Sequence, residues 1–264
     1  MPNFRSKPPL GRLVNSARAN ELGLVGAWPL NEGRGGTVND ASGNNRTGTI
    51  INAPAWHPDG IDFETATDQY IQLATPIVFP SLNPWSFETV VNFETVAASG
   101  LCGNTISAGA YFRAFFNTTT AFYIYNDINT AKIITVPTMA TNRLYSICVT
   151  CKGLGGVFSL YIDGKFIGTT NWADSTQATF YRLASLGSTT DYNLDGKMRH
   201  FFVFNKYLSA KQVDKLYADP YYPWRRNRVE LWAVGAVAPP AALPSLINGK
   251  LVNNGLLNSG VLVC

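Results

Sequence analysis

From Leu24 onward, short apolar-rich segments alternate with clusters of glycine, asparagine and other turn residues. β-prone segments run over Leu24–Leu30, Gly60–Phe63, Tyr70–Leu73 and Trp85–Phe93, with a long Asn/Gly-rich loop from Asn31 to Gly48 after the first. The middle of the chain continues with Tyr111–Phe116, Ala121–Tyr125, Ile133–Val136 and Leu144–Thr150. In Val157–Gly168, two alternating stretches meet at Asp163-Gly164, a pair that tolerates the positive φ angles of a tight hairpin. A late strand is predicted over Met198–Phe204. Strands this short, with no helical crossover between them, predict an antiparallel sandwich or barrel.

The period then changes. Leu208, Val213, Leu216 and Tyr217 fall on one side of a helix that Ser209 can cap and Pro220 stops. One short helix is therefore expected to close an all-β domain spanning residues 22–219. Residues 1–21 hold Pro2, Pro8 and Pro9 with scattered basic groups and no apolar period, which predicts an extended basic arm. Residues 220–245 read as an aromatic and basic connector followed by an Ala/Pro linker, and 246–264 as an apolar β-prone tail.

Composition sharpens this picture. Charged residues are only 14% of the chain, against roughly 25% in an average soluble protein. Its surface must be built from Thr, Ser, Asn, Gly and Tyr, as in sandwiches that assemble or bind neutral ligands. The +4 net charge is concentrated at the flanks. Two short basic segments around a neutral domain suit anchoring to a partner better than reading nucleic acid, which needs a basic stripe with interleaved aromatics. The start lacks the apolar core of a secretory signal, and no stretch approaches the ~18 apolar residues of a membrane span. The expectation is a cytosolic product without nucleic-acid or membrane partners. Cys148 and Cys151 form a C-x-x-C in an alternating strand, so their thiols point to opposite faces and cannot share a metal.

Several segments resemble the laminin-G-like, concanavalin A-like lectin/glucanase superfamily. Gly23–Gly33 is similar to its opening strand, and Asn39–Thr49 to its D-x-S-G-N-x-x-x-G loop. Asp68–Leu73 and Trp85–Glu88 resemble the next strands, Leu160–Lys165 the Y-x-D-G hairpin, and Leu194–Met198 through Leu208–Ala210 the terminal strand and helix. The resemblance implies a jelly-roll sandwich of two antiparallel sheets with one short C-terminal helix. The opening Phe4–Gly11 also resembles the arm of laminin-G-like proteins encoded by tailed bacteriophages.

The family often holds calcium at the sandwich rim, which would here fall to Asp40, Asn39, Ser42 and Asn44. Met198, Arg199 and His200 stand where the family adds carboxylates, so Asp40 reads first as an Asx-turn residue and second as a calcium ligand. Calcium is the one cofactor left open. Glucanases of the superfamily need two carboxylates ~5–5.5 Å apart; Asp62 and Glu64 lie at a strand end and no third acid completes the pattern. His57 and His200 sit in no nucleophile context, so no enzymatic activity is expected. For sugar binding the candidate platforms are Trp172, Tyr192 beside Asp191, and Tyr125 beside Asn126.

Two functions follow from these readings. The first is a structural virion protein, a capsid decoration or tail component, that docks to other virion proteins and to its own copies. Arg5, Lys7, Arg12, Trp224, Arg225 and Arg226, with the tail residues Leu251, Val252, Leu256 and Leu257, would make the assembly contacts. Such a tail exposes strand edges unless it adds to a neighbour's sheet. The alternative is an adhesion or receptor-binding module for host-surface glycans.

Overall fold

A computed structural model describes residues 7–80, 82–104, 112–125, 131–153, 156–171, 177–186, 192–225, 245–247 and 250–252. The chain divides into two compact units, residues 1–226 and 227–264.

The first unit is a sandwich of two antiparallel sheets. Its strands are β1 (Leu24–Trp28), β2 (Thr37–Val38), β3 (Gly48–Ile51), β4 (Ala55–His57), β5 (Gly60–Phe63), β6 (Tyr70–Phe79), β7 (Trp85–Thr95) and β8 (Ser99–Asn104). They continue with β9 (Phe112–Thr118), β10 (Ala121–Tyr125), β11 (Ala131–Thr135), β12 (Leu144–Cys151), β13 (Val157–Ile162), β14 (Lys165–Asn171), β15 (Ala178–Leu183) and β16 (Asp195–Phe204). One sheet has the order β14-β13-β12-β7-β16-β5-β4, with β1 also paired to β16; the other runs β11-β10-β9-β8-β15-β6-β3-β2. Every pairing is antiparallel.

The inner faces meet in an aromatic core. Trp85 stacks near Phe87 and meets Phe112, Phe158 and Phe180 at 5.1–5.5 Å between ring centroids. The expected Asp163-Gly164 hairpin forms, with φ +53° and +74° at its two turn residues and Ile162 paired to Lys165. Helix α2 (Ala210–Ala218) follows its Ser209 N-cap, whose backbone N–H donates to Gln212 Oε1 at 3.0 Å. Cys151 lies in the inter-sheet core and Cys148 in a second core on the outside of the first sheet, the opposite-face placement that strand alternation demands.

That second core departs from the expected extended arm. Ser16–Leu22 is a helix, α1, capped by the Asn15 side chain, which accepts from the N–H groups of Ala17 and Arg18. It ends at Gly23 in the left-handed conformation (φ 71°). Seven residues cannot sustain a helix by propensity, so packing fixes it: Ala19 and Leu22 bury beside Leu208, Val213, Leu216, Tyr221, Tyr222 and Trp224. The strands not anticipated, β8 and β15 among them, lack a clean alternation; β8 reads Ser-Gly-Leu-Cys-Gly-Asn. In the second unit, β17 (Ser245–Ile247) pairs antiparallel with β18 (Lys250–Val252).

Candidate binding face

Alternation divides β9 and β10 into two sets of side chains. Phe112, Ala114, Phe116, Phe122 and Ile124 point into the sandwich and are fully buried. Arg113, Phe115, Tyr123 and Tyr125 therefore stand on the outer face. The register places Phe115 opposite Tyr123 and Arg113 opposite Tyr125. Tyr123 in turn faces Ile133 of β11, whose side chain is well exposed. The Phe115 ring lies 5.5 Å from Tyr123 and 5.6 Å from Tyr125, and the two tyrosines are 6.1 Å apart.

A fourth ring arrives from far along the chain. Tyr192 meets Phe115 edge-on at 5.1 Å. The backbone at Leu186 and Tyr192 rests on β8, where glycine leaves room for it. A Cβ at Gly100 would fall 2.1 Å from the Tyr192 carbonyl oxygen, and one at Gly103 2.6 Å from that of Leu186. Ala184 N–H bonds the Leu101 carbonyl at 2.9 Å, and Ser185 bridges to Asn193.

Two of the residues proposed from sequence as sugar platforms, Tyr125 and Tyr192, are thus brought together, and Phe115 is what joins them. Phe115, Tyr123 and Arg113 were not anticipated, although Tyr-Ile-Tyr at 123–125 is the alternation that places two rings on one face. Trp172, Asp191 and Asn126 lie outside the described residues. Three half-buried phenols beside an arginine offer apolar ring faces, hydroxyl donors and acceptors, and a cation within one surface. Such a surface matches a polyhydroxylated ligand with both C–H faces and hydroxyls.

In the loop whose second reading was a calcium site, the Asp40 oxygens are committed. Asp40 Oδ1 accepts from the N–H groups of Ala27 (3.0 Å) and Ser42 (2.9 Å). Its Oδ2 accepts from Ser42 Oγ (2.9 Å) and Arg46 N–H (3.1 Å). Asn44 Nδ2 donates to the Val25 carbonyl, and Asn39 Nδ2 donates to Glu32. The Asp40–Ser42 contact is the Asx turn read from sequence. A carboxylate with four donors and 8% exposure ties the loop to β1; a cation would have to displace those donors. Among the described residues no group of three His, Cys, Asp or Glu side chains is arranged to hold a metal.

The family model described as the concanavalin A-like lectin/glucanases superfamily matches residues 65–214, more than half of the chain. The chain belongs to that superfamily. No curated protein matches the sequence. Among solved structures, domain 4 of AbnA, a GH43 extracellular arabinanase from Geobacillus stearothermophilus solved with arabinotriose, is similar with a TM-score of 0.59 at 15% identity, covering 73% of this chain and 97% of that one. The binding domain of Paraclostridial Mosquitocidal Protein 1 gives 0.53 at 13%, covering 74% of this chain and 52% of the other. The receptor binding domain of botulinum neurotoxin type G gives 0.53 at 14%, covering 74% and 50%. This chain spans about half the length of the last two. At these identities the likeness is one of fold.

The other outer face of this lectin-like domain is closed. Trp224 Nε1 donates to the Arg12 carbonyl at 2.8 Å, Asn15 N–H to Pro223 at 2.8 Å, and Asn15 Nδ2 to Arg225 at 3.2 Å. Tyr222 Oη donates to Glu21 at 2.6 Å and also receives a contact from Arg18. Arg225 grips Asp219 with two bonds of 2.6 and 2.9 Å, and Lys7 Nζ donates to the Leu30 carbonyl at 2.7 Å. Lys7, Arg12, Trp224 and Arg225, expected to reach neighbouring subunits, thus have partners within their own chain, because arm and connector meet on the outside of the first sheet. Arg5, Arg226, Leu256 and Leu257 lie outside the described residues, while Leu251 and Val252 belong to β18.

Beneath this clasp is a pair with no sequence signal: Glu88 Oε2 lies 2.7 Å from His200 Nε2, both side chains 1% exposed. Ser146 Oγ donates to Glu88 Oε1 at 3.2 Å, and the imidazole stacks on Phe202 at 4.3 Å. Glu88 and His200 sit on neighbouring strands β7 and β16, and only the register reveals their approach.

Proposed function

We propose that this domain is a non-catalytic glycan-recognition module, and that its binding face is the outer surface of β9 and β10 with Tyr192. The observation that carries the reading is the convergence of Tyr125 and Tyr192 on Phe115. The superfamily supplies the lectin-like fold, and among the relatives are proteins whose names record receptor binding or a bound arabinotriose. Three of the described acids are committed to structural contacts, which favours the non-catalytic reading. Asp62 lies 3.3 Å from both His57 and Lys197, Asp40 holds four donors, and Glu88 is sealed against His200. Calcium has no role in this reading. A glycan array probed with the whole protein tests it: hits that vanish in Tyr125→Ala and Tyr192→Ala support it, and an empty array removes it.

The setting we favour is the surface of a tailed-bacteriophage particle. The Phe4–Gly11 resemblance supports it, as does the separate unit after residue 226 with its β17–β18 hairpin. In this reading the domain is made in the host cytoplasm and carried into the virion, where residues 227–264 make the contacts with virion proteins and copies of the chain. Deleting residues 227–264 should leave the jelly roll folded and abolish assembly; an unchanged oligomer in light scattering would count against it.

A further inference from the structure

Where the arm folds back on the jelly roll, it forms one side of an open cavity of about 230 Å³. One wall is the Pro9–Arg12 turn, in which Arg12 N–H donates to the Pro9 carbonyl at 3.1 Å. Gly11 there has φ +73°, the left-handed position that glycine fills readily. The turn is pinned by Asn31 Nδ2 on the Pro8 carbonyl at 2.7 Å and by Val14 N–H on the Ala41 carbonyl at 3.0 Å. Opposite it stand Pro29, Glu32 and the Asn39–Ala41 segment.

Apolar groups of Pro9, Leu10, Leu13, Pro29 and Ala41 line much of the cavity, and Glu32 supplies a carboxylate. Its Oε1 accepts from Asn39 N–H (2.7 Å) and Nδ2 (3.1 Å). Its Oε2 is buried and has no hydrogen-bond partner among the described residues. An ionised oxygen shielded from water and left unpaired is costly, so it marks a place for a donor. The nearby cations are engaged elsewhere. Arg12 Nη2 contacts the Trp224 carbonyl at 3.5 Å and Lys7 Nζ the Leu30 carbonyl. Burial, reinforced by Arg199 and partly opposed by Asp59 and by Glu32 itself, lowers the Lys7 amine to about 7, so at neutral pH Lys7 offsets the Glu32 charge only in part.

We propose that this cavity binds an alkylammonium group, with Glu32 Oε2 accepting an ammonium N–H and Leu10, Leu13, Pro9 and Pro29 enclosing the alkyl chain. Charge selects the class: an anion would meet the Glu32 and Asp40 carboxylates, a hard metal ion would find too few free oxygens, and a neutral alcohol would leave the carboxylate charge uncompensated. A small free amine and a lysine side chain of a partner protein share this chemistry. The inference stands apart from the glycan face, which other residues build.

The test is an NMR titration of the full chain at neutral pH with n-butylamine, methylammonium, Nα-acetyl-lysine methylamide and n-butanol. At least one amine should bind with a Kd on the order of millimolar, and butanol at least ~10-fold more weakly. Binding by butylamine alone assigns the cavity to a free amine; binding by the lysine derivative assigns it to a side chain. Glu32→Gln should weaken amine binding at least ~10-fold while leaving the weak butanol affinity unchanged. Leu10→Ser, at a position 61% exposed and so tolerant of change, should weaken butylamine several-fold and methylammonium not at all. Equal affinity for amine and alcohol, no binding up to about 100 mM, or amine binding indifferent to both substitutions overturns the proposal.

Discussion

The two outer faces of the sandwich are made by the same alternation and end differently. The outside of the β12-β7-β16 sheet carries Cys148, Glu88, His200 and Phe202, and two helices and the Tyr222–Trp224 turn seal it. The outside of the β8-β9-β10 sheet carries Phe115, Tyr123 and Tyr125, and the crossing at Leu186 and Tyr192 adds a ring while the tyrosines stay half-buried. One face is sealed, and the other is the face we propose for recognition. The difference comes from which distant segments return to each face.

The sharpest way to break this contrast is to unseal the first face. Glu88→Ala strands His200 without its partner and should cost about 3–5 kcal/mol in urea unfolding. Trp224→Ala should cost a similar ~3–5 kcal/mol by emptying the clasp. Both variants, where still folded, should keep full glycan affinity; a parallel loss of binding would show that the faces are not separable.

Gly103→Val attacks the second face from below. Its Cβ would meet the Leu186 backbone at 2.6 Å, so the crossing must lift, at about 1–3 kcal/mol, and Tyr192 should leave the cluster. Calorimetry should register the first effect and glycan binding the second. A stable variant with undiminished binding would contradict the role given to the crossing.

Smaller still is the stability effect of Tyr125→Ala or Tyr192→Ala, about 1 kcal/mol each, with glycan affinity falling at least ~10-fold if the rings stack on sugar. Smallest are two expected silences. Burial raises the thiols of Cys102 and Cys148, and that of Cys151 to about 12. Above its unfolded value a buried thiol stays protonated, so iodoacetamide at pH 8 should leave these three unmodified until denaturant is added, which mass spectrometry can check. Calcium or EDTA should leave the thermal midpoint unmoved, because the Asp40 oxygens already hold four donors.

Much of the fold is legible in the residues, for local reasons. Asp163-Gly164 specifies its turn, Ser209 with Gln212 starts α2, and the alternation around Cys148 and Cys151 separates the two thiols. β8 escapes such a reading because its glycines at 100 and 103 make room for the backbone at Leu186 and Tyr192. Helix α1 escapes it because seven residues become helical only against Leu208, Leu216 and Trp224. The candidate face is half legible. Tyr125 and Tyr192 could be named as aromatic residues in turn-rich contexts, but Phe115 is 77 residues from Tyr192 in sequence, and only register and crossing bring the rings to 5.1 Å.

By itself the sequence determines which side chains share a face, since a strand's period of two is a property of the backbone. It also determines where the chain turns, through residues that accept positive φ. Only the tertiary structure decides which outer face is covered. The cover is held by contacts such as Asn15 to Arg225, 210 residues apart, and no local pattern encodes a meeting at that separation.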